Sequence, residues 1–269
     1  MLTAVRVYRP DNSFVTFSFD NNANDFFVKN ISGLGVDRSV VVEDSVTVPG
    51  GFFQNTRPKS RNVVMKLGYS NSIVPIGIRR REIMSYFVPG TSIRMEFDTD
   101  NLPTVQLYGV VETADSPIFS QDPDITISIL CSNPYFEEIV DTVRASPITA
   151  SGTYSFQYNG TVPVGVRLSA SRPSITGTVD LHLRPAAPVS VTRGLFYREP
   201  AADSARVVDF SSVLGDRYVK IGASSVLDRL LESAVWPQFQ PGLNQIQVVM
   251  TGVTWTITNF RWRPRYEGL

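Results

Sequence analysis

The sequence predicts a mainly β fold arranged as two domains, and three observations carry that expectation. Short segments rich in Val, Ile, Thr, Phe and Tyr recur along the chain, and several alternate apolar with polar residues, as a strand with one buried and one wet face does. Residues that preset or permit turn dihedrals punctuate them at short intervals. A small-residue stretch, Arg144–Gly152, interrupts the pattern near the middle, so the expected domains are residues 1–145 and 151–269.

In the first half the expected strands are Thr3–Tyr8, Ser13–Phe19, Ser39–Val48, Ser60–Leu67, Thr91–Phe97, Val105–Val111 and Ile125–Cys131. Arg9–Asn12, Pro49–Gly51, Pro89-Gly90 and Ser132–Pro134 supply the loops between them. Ile76–Phe87 reads differently: Ile78, Ile83, Met84 and Phe87 fall roughly on one helical stripe, and Pro89-Gly90 stops it. One short helix among strands is expected to cover an open sheet face or edge.

In the second half the expected strands are Tyr154–Tyr158, Pro163–Ala170, Gly177–Leu183, Arg193–Tyr197, Arg206–Phe210, Arg217–Ile221, Gln245–Met250 and Thr254–Trp262. Short strands at such regular spacing predict a β-sandwich of jelly-roll type. Ser224–Ala234 carries Val226, Leu227, Leu230 and Leu231 at helical spacing, so a short helix or irregular turn is expected there.

Composition narrows the function classes. The chain has 269 residues, 42% hydrophobic and 19% charged, with 25 basic and 25 acidic groups, which excludes a disordered chain. Residues 1–150 hold 13 basic and 17 acidic groups (net −4), and residues 151–269 hold 12 and 8 (net +4), so neither half is basic enough for a nucleic-acid binder. The single cysteine, Cys131, makes no intramolecular disulfide and suits a reducing cytoplasm. The N-terminus lacks the features of a signal peptide, and no apolar run nears the ~20 residues that span a bilayer. A soluble chain made in the cytoplasm, with no membrane insertion, is the expectation.

Candidate chemistry is sparse. His182, the lone histidine, alternates with leucines in Asp180–Leu183 and reads as a sheet histidine rather than a base. One His and one Cys cannot supply the usual zinc ligand set, and Cys131, ending an apolar run, reads as a buried small hydrophobe. Gly33-Leu34-Gly35 lacks the third glycine of a dinucleotide fingerprint. Asp98, Asp100, Asp122 and Asp124 read as strand-end turn formers rather than calcium ligands, and Glu137-Glu138 has no second carboxylate for glycosidase work. No catalytic, cofactor-binding or metal-binding residue is therefore assigned, and no enzymatic role or cofactor is expected. Arginine supplies 21 of the 25 basic residues, and Arg79-Arg80-Arg81 with Glu82, near Arg57, Lys59 and Arg61, is salt-bridge material for a subunit interface.

The order of several phrases resembles a known family. Ile31-Ser32-Gly33-Leu34-Gly35, Pro49-Gly50-Gly51, the Arg79–Arg81 helix ending in Phe87-Val88-Pro89-Gly90, Gly109-Val110-Val111 and Pro117–Ser120 are similar to the N-terminal domain of siphophage distal tail proteins. Ile127–Phe136 is similar to the C-x-D-P-Y-F phrase closing that domain, with Asn133 in place of the usual Asp. Tyr158–Pro163, Trp236–Asn244 and Trp262–Leu269, the last similar to an R-Y-x-G-L ending, extend the resemblance across almost the whole chain.

The resemblance implies an N-terminal β-sandwich or split barrel with one short helix and a C-terminal galectin-like, or carbohydrate-module-like, jelly-roll β-sandwich. It implies a homo-hexameric ring whose N-terminal domains line a channel continuing the tail tube, through which DNA passes. The implied partners are the tail tube protein, the tape measure protein and a tail-associated hub or fibre protein. The implied location is the virion tail tip, after assembly in the host cytoplasm. A hairpin such as Ser39–Val48 can close such a ring by strand addition. The alternative is a carbohydrate-binding module that recognises host-surface saccharide through Trp236, Trp255 or Trp262, of which Trp255 and Trp262 read more readily as core. A glycan-cleaving enzyme has no paired acid and base to support it.

Overall fold

The computed structural model describes all residues except 21–25, 36, 45–50, 70–74, 118–123, 176, 186–193, 202–203 and 232–233, and leaves the side chains of 41–44 and 51–55 undescribed. Contacts divide the chain into two compact units, Met1–Ile139 with Tyr266–Leu269, and Val140–Arg265. The sequence pattern put the division at 145–151 and gave every later residue to the second domain. Contacts set it at 139/140 and return four residues to the first unit, because Tyr266–Leu269 finds its partners there.

The first unit contains β1 (Leu2–Tyr8), β2 (Phe14–Ser18), β3 (Phe26–Ser32), β4 (Arg38–Asp44), β5 (Gly51–Pro58), β6 (Arg61–Tyr69), helix α1 (Ile76–Tyr86), β7 (Ser92–Thr99), β8 (Val105–Asp115), β9 (Asp124–Cys131) and β10 (Phe136–Glu138). Seven strands close on themselves in the order β8-β7-β1-β2-β3-β6-β9, with β9 returning to β8. Closure removes the open edges that a sheet must otherwise protect. The seam between β2 and β3 is a single parallel pair, Ser18 with Phe27.

Alternation decides which side chains fill the interior. Val5 and Val7, Val63, Met65 and Leu67, and Ile125, Ile127 and Ile129 point inward and are buried, while their neighbours face out. Gly109 is an inward position without a side chain, and a Cβ there would lie 2.5 Å from Ile129 Cγ2 and 2.8 Å from Cys131 Sγ. Helix α1 adds Ile83 and Phe87 to this core, with Phe87 5.9 Å from the Phe17 ring. Ile78, expected on the same stripe, is exposed. Five residues at ~100° each carry it well round the helix from Ile83, whereas Ile83 and Phe87 sit at i and i+4.

Three strands of the first unit, β3, β5 and β10, have no counterpart among the expected ones. The expected Ser39–Val48 hairpin is instead a longer ribbon of β4 against β5, with a bulge between Val41 and Val42, and its connecting residues lie outside the described ones. Among the described residues, these two strands pair with each other and with no other strand.

The second unit contains β11 (Thr142–Val143), β12 (Gly152–Tyr158), β13 (Val164–Gly165), β14 (Arg167–Arg172), β15 (Val179–Pro185), β16 (Leu195–Glu199), β17 (Arg206–Val213), β18 (Asp216–Ile221), β19 (Ser224–Ser225), β20 (Gln238–Phe239), β21 (Gly242–Thr251) and β22 (Thr256–Trp262). A six-stranded sheet, β11-β22-β14-β17-β18-β19, and a four-stranded one, β12-β21-β15-β16, enclose one core, and β13 pairs with β20. An aromatic cluster, Phe156, Phe239, Phe260 and Trp262, fills it, with Phe156 and Phe260 stacked at 4.7 Å. In Ser224–Ala234 the helical spacing yields one 3-10 turn, Leu227–Arg229, with Leu227 exposed.

Candidate functional site

The residues singled out by chemistry are scattered. His182 is half-buried on β15, its ring 4.7 Å edge-on from Phe196, and burial pushes its pKa down. Cys131 is buried in the barrel, and burial pushes its thiol up to about 12, so it holds no thiolate. Asp98 pairs with Arg6 at 2.7 Å and accepts from Thr104 at 2.8 Å, while Asp124 pairs with Lys29 and Lys66. Asp122 lies outside the described residues. Glu138 accepts from the Tyr266 hydroxyl at 2.6 Å. Among the described residues no three His, Cys, Asp or Glu side chains gather where they could hold a metal ion.

The Arg79–Arg81 run is spent mostly within the chain. Arg79 reaches Glu82 at 3.2 Å and lies 5.2 Å over the Phe26 ring, and Arg80 donates to the Ser116 carbonyl at 2.7 Å. Arg81 stays exposed.

Two arginine clusters were not foreseen. Arg61, 7% exposed, donates to the carbonyls of Pro134 (2.8 Å), Gly33 (2.7 Å), Gly35 (2.6 Å) and Glu267, and stands 4.6 Å over the Phe136 ring. No carboxylate faces its guanidinium among these partners, and burial lowers its pKa from the usual value. One side chain thus ties its own strand to three other stretches of the first unit, and three further contacts hold the same tail. Glu267 pairs with Arg38 at the root of the ribbon, Tyr266 donates to Glu138, and the Leu269 amide donates to the Leu34 carbonyl at 3.4 Å. The Gly33-Leu34-Gly35 phrase is therefore a structural loop. Gly33 has φ +82° and sits where a Cβ would be 1.9 Å from the Asn62 carbonyl oxygen.

In the second unit Glu199 is fully buried. Arg172 donates to its Oε1 at 2.9 Å, Arg206 to the same oxygen at 3.2 Å, Arg229 to Oε2 at 2.7 Å, and the Tyr197 hydroxyl to Oε2. Burial opposes ionisation of Glu199, but these donors outweigh it and hold the carboxyl below its ordinary value. Burial, reinforced by the carboxylate, pushes the Tyr197 hydroxyl up. Both clusters are clamps: the arginines spend their terminal nitrogens on groups of the protein itself.

Of the three tryptophans, Trp255 (0% exposed) and Trp262 (7%) belong to the sandwich core, and Trp236 is half-buried against it.

No protein-family model matches the chain, and no curated protein matches it. Solved structures do. The chain is similar to the crystal structure of the Dit protein of phage SPP1, described as a paradigm of the hub adsorption apparatus in phages infecting Gram-positive hosts. The two are 13% identical, with a TM-score of 0.69 over 97% of this chain and 98% of that one. It is also similar to a chain of the phage P2 baseplate in its activated conformation with calcium, at 8% identity and a TM-score of 0.51 with both chains fully covered. The chain therefore has the two-unit β fold found in phage tail hub and baseplate proteins. In particular, it shares the fold of a Dit protein over nearly its full length.

Proposed function

We propose that this chain is a structural tail-hub protein of a long-tailed phage, a non-enzymatic virion component at the tail tip. The observation that supports it best is the likeness to SPP1 Dit over 97% of the chain. In this reading six copies form a ring joining the tail tube to the hub or fibre proteins, with a channel occupied first by the tape measure protein and then by DNA. A head-to-tail ring needs two complementary faces on each subunit. The β4–β5 ribbon, which joins no other sheet among the described residues, supplies one of them in this reading. The net −4 of residues 1–150 suits a channel that must not retain phosphates.

For the saccharide alternative, burial of Trp255 and Trp262 leaves no stacking face on either for a sugar ring, so that reading rests on the half-buried Trp236 alone among the tryptophans. Native mass spectrometry with negative-stain imaging tests the ring. A closed six-subunit particle with a central hole is expected, and a chain that stays monomeric with its tube and hub partners present would refute the assignment.

A further inference from the structure

The outer face of the six-stranded sheet in the second unit carries a polar hollow. Leu168, Phe210, Val219 and Phe260 point into the core, so their neighbours on β14, β17, β18 and β22 face outward. Cross-strand register sets Arg261 opposite Arg167, Arg167 opposite Ser211 and Ser211 opposite Tyr218, and in the next row Ser169 opposite Asp209. Here lies an open hollow of about 360 Å³, lined by Arg167, Ser169, Asp209, Tyr218, Asn259 and Arg261, a size that suits a small ligand. Two of its features work against the isolated sheet. Like charges directly opposite one another on neighbouring strands are destabilising, yet Arg167 and Arg261 are such a pair. Asp216 answers Arg167 at 2.9 Å, but Arg261 has only Asp141 at 3.7 Å, and Arg263 already holds that carboxylate at 2.7 Å. The other feature is Asn259. Ser169 to Arg167 on β14 faces the longer stretch Thr258 to Arg261 on β22, so β22 bulges there, and Asn259 takes up a left-handed φ of +51°. Asn259 and Arg261 are both exposed as a result.

The residue types define the ligand. A pair of guanidinium groups calls for a carboxylate or phosphate, which the planar fork of arginine grips with parallel hydrogen bonds. Asp209 accepts from the Ser169 hydroxyl at 2.6 Å through one oxygen, and its other oxygen has no partner among the described residues. A carboxylate only accepts, so it repels a bare anion and needs a hydroxyl donor from the ligand. The Asn259 amide and the Tyr218 hydroxyl, also without hydrogen-bond partners among the described residues, can take further hydroxyls. A molecule that brings one negative group and several hydroxyls beside it is an acidic sugar. We propose that this hollow binds an acidic saccharide, with its carboxylate or phosphate between Arg167 and Arg261 and its hydroxyls on Asp209, Asn259 and Tyr218. Such a site is independent of ring assembly and uses no tryptophan, which gives saccharide recognition a footing apart from Trp236.

The test is ligand-observed saturation-transfer NMR on the full chain, which reads weak sugar binding whether the protein is monomeric or assembled. The probes are glucuronic acid and glucose 6-phosphate, with glucose as the neutral control and inorganic phosphate as a competitor. A saturable signal from one or both acidic sugars is expected, ~10-fold or more tighter than glucose, and the better of the two tells carboxylate from phosphate. Arg167→Ala and Arg261→Ala should each weaken it ~10-fold or more. Asn259→Gly, which keeps the left-handed backbone, should weaken it with the sheet intact. Asp209→Asn should weaken the sugar while letting inorganic phosphate compete at lower concentration, a reversal of preference that a merely structural role would not produce. Circular dichroism confirms that each variant is folded. No saturable signal from either acidic sugar, a signal indifferent to the arginine variants, or inorganic phosphate binding as tightly as the sugars would overturn the site and leave the hub reading untouched.

Discussion

Replacing Arg61 with methionine tests the clamp on Tyr266–Leu269. Methionine keeps most of the apolar stem but removes four hydrogen bonds to carbonyls. Hydrogen bonds from a charged donor are worth about 1.5–3 kcal/mol each, so the gross loss is about 6–12 kcal/mol. Against this stands the several kcal/mol spent in burying a guanidinium without a facing carboxylate, which the variant recovers. The net expectation is a destabilisation of about 3–5 kcal/mol, a large share of the ~5–15 kcal/mol that holds a typical domain folded.

The two units can be followed separately, because all three tryptophans, Trp236, Trp255 and Trp262, lie in the second. Urea titration by far-ultraviolet circular dichroism should show an early loss of β signal in the variant. Tryptophan fluorescence should keep its wild-type midpoint. A variant within about 1 kcal/mol of wild type would refute the clamp as a net stabiliser. A fluorescence midpoint that moves with the circular dichroism would refute its confinement to the first unit.

Glu199 sets an acid limit on the second unit. Its carboxyl lies below its ordinary value when folded, so the stability it contributes is fully present above the unfolded value of about 4.3 and is lost as pH falls through the folded one. Glu199→Gln should cost about 3–5 kcal/mol at neutral pH by leaving three arginines without a facing negative charge and turning an amide NH2 toward some of them, and the gap to wild type should narrow in acid, followed by tryptophan fluorescence. The Cys131 thiol should resist Ellman's reagent at pH 8 until denaturant opens the barrel, and its reaction should then follow the early circular-dichroism transition. Gly33→Ala should cost more than the ~1–3 kcal/mol of backbone strain alone, because its Cβ meets the Asn62 carbonyl, and thermal unfolding by circular dichroism measures it.

Strands with strict alternation were legible, as Ile125–Cys131 shows, with its inward isoleucines and outward Thr126, Ser128 and Leu130. β3 escaped because Lys29 and Asn30 follow Val28, where a register shift breaks the period. The clamps do leave a signal in the sequence. Arg61 is in phase with Val63, Met65 and Leu67, Glu199 with Leu195 and Tyr197, and Arg172 with Leu168 and Ala170. A charge in phase with the inward apolar residues of a strand has to be buried, and a buried charge has to find partners.

The return of Tyr266–Leu269 to the first unit makes that unit discontinuous in sequence, so its stability depends on residues that lie beyond the whole of the second unit. A message cut short anywhere within the second unit yields a barrel whose Arg61 lacks one carbonyl and whose Arg38 lacks its carboxylate. Such a product carries a weakened barrel and is sooner lost to proteases. A barrel whose ties lie on the far side of another unit in sequence depends on that unit being present and intact, although no interaction with the unit itself is involved.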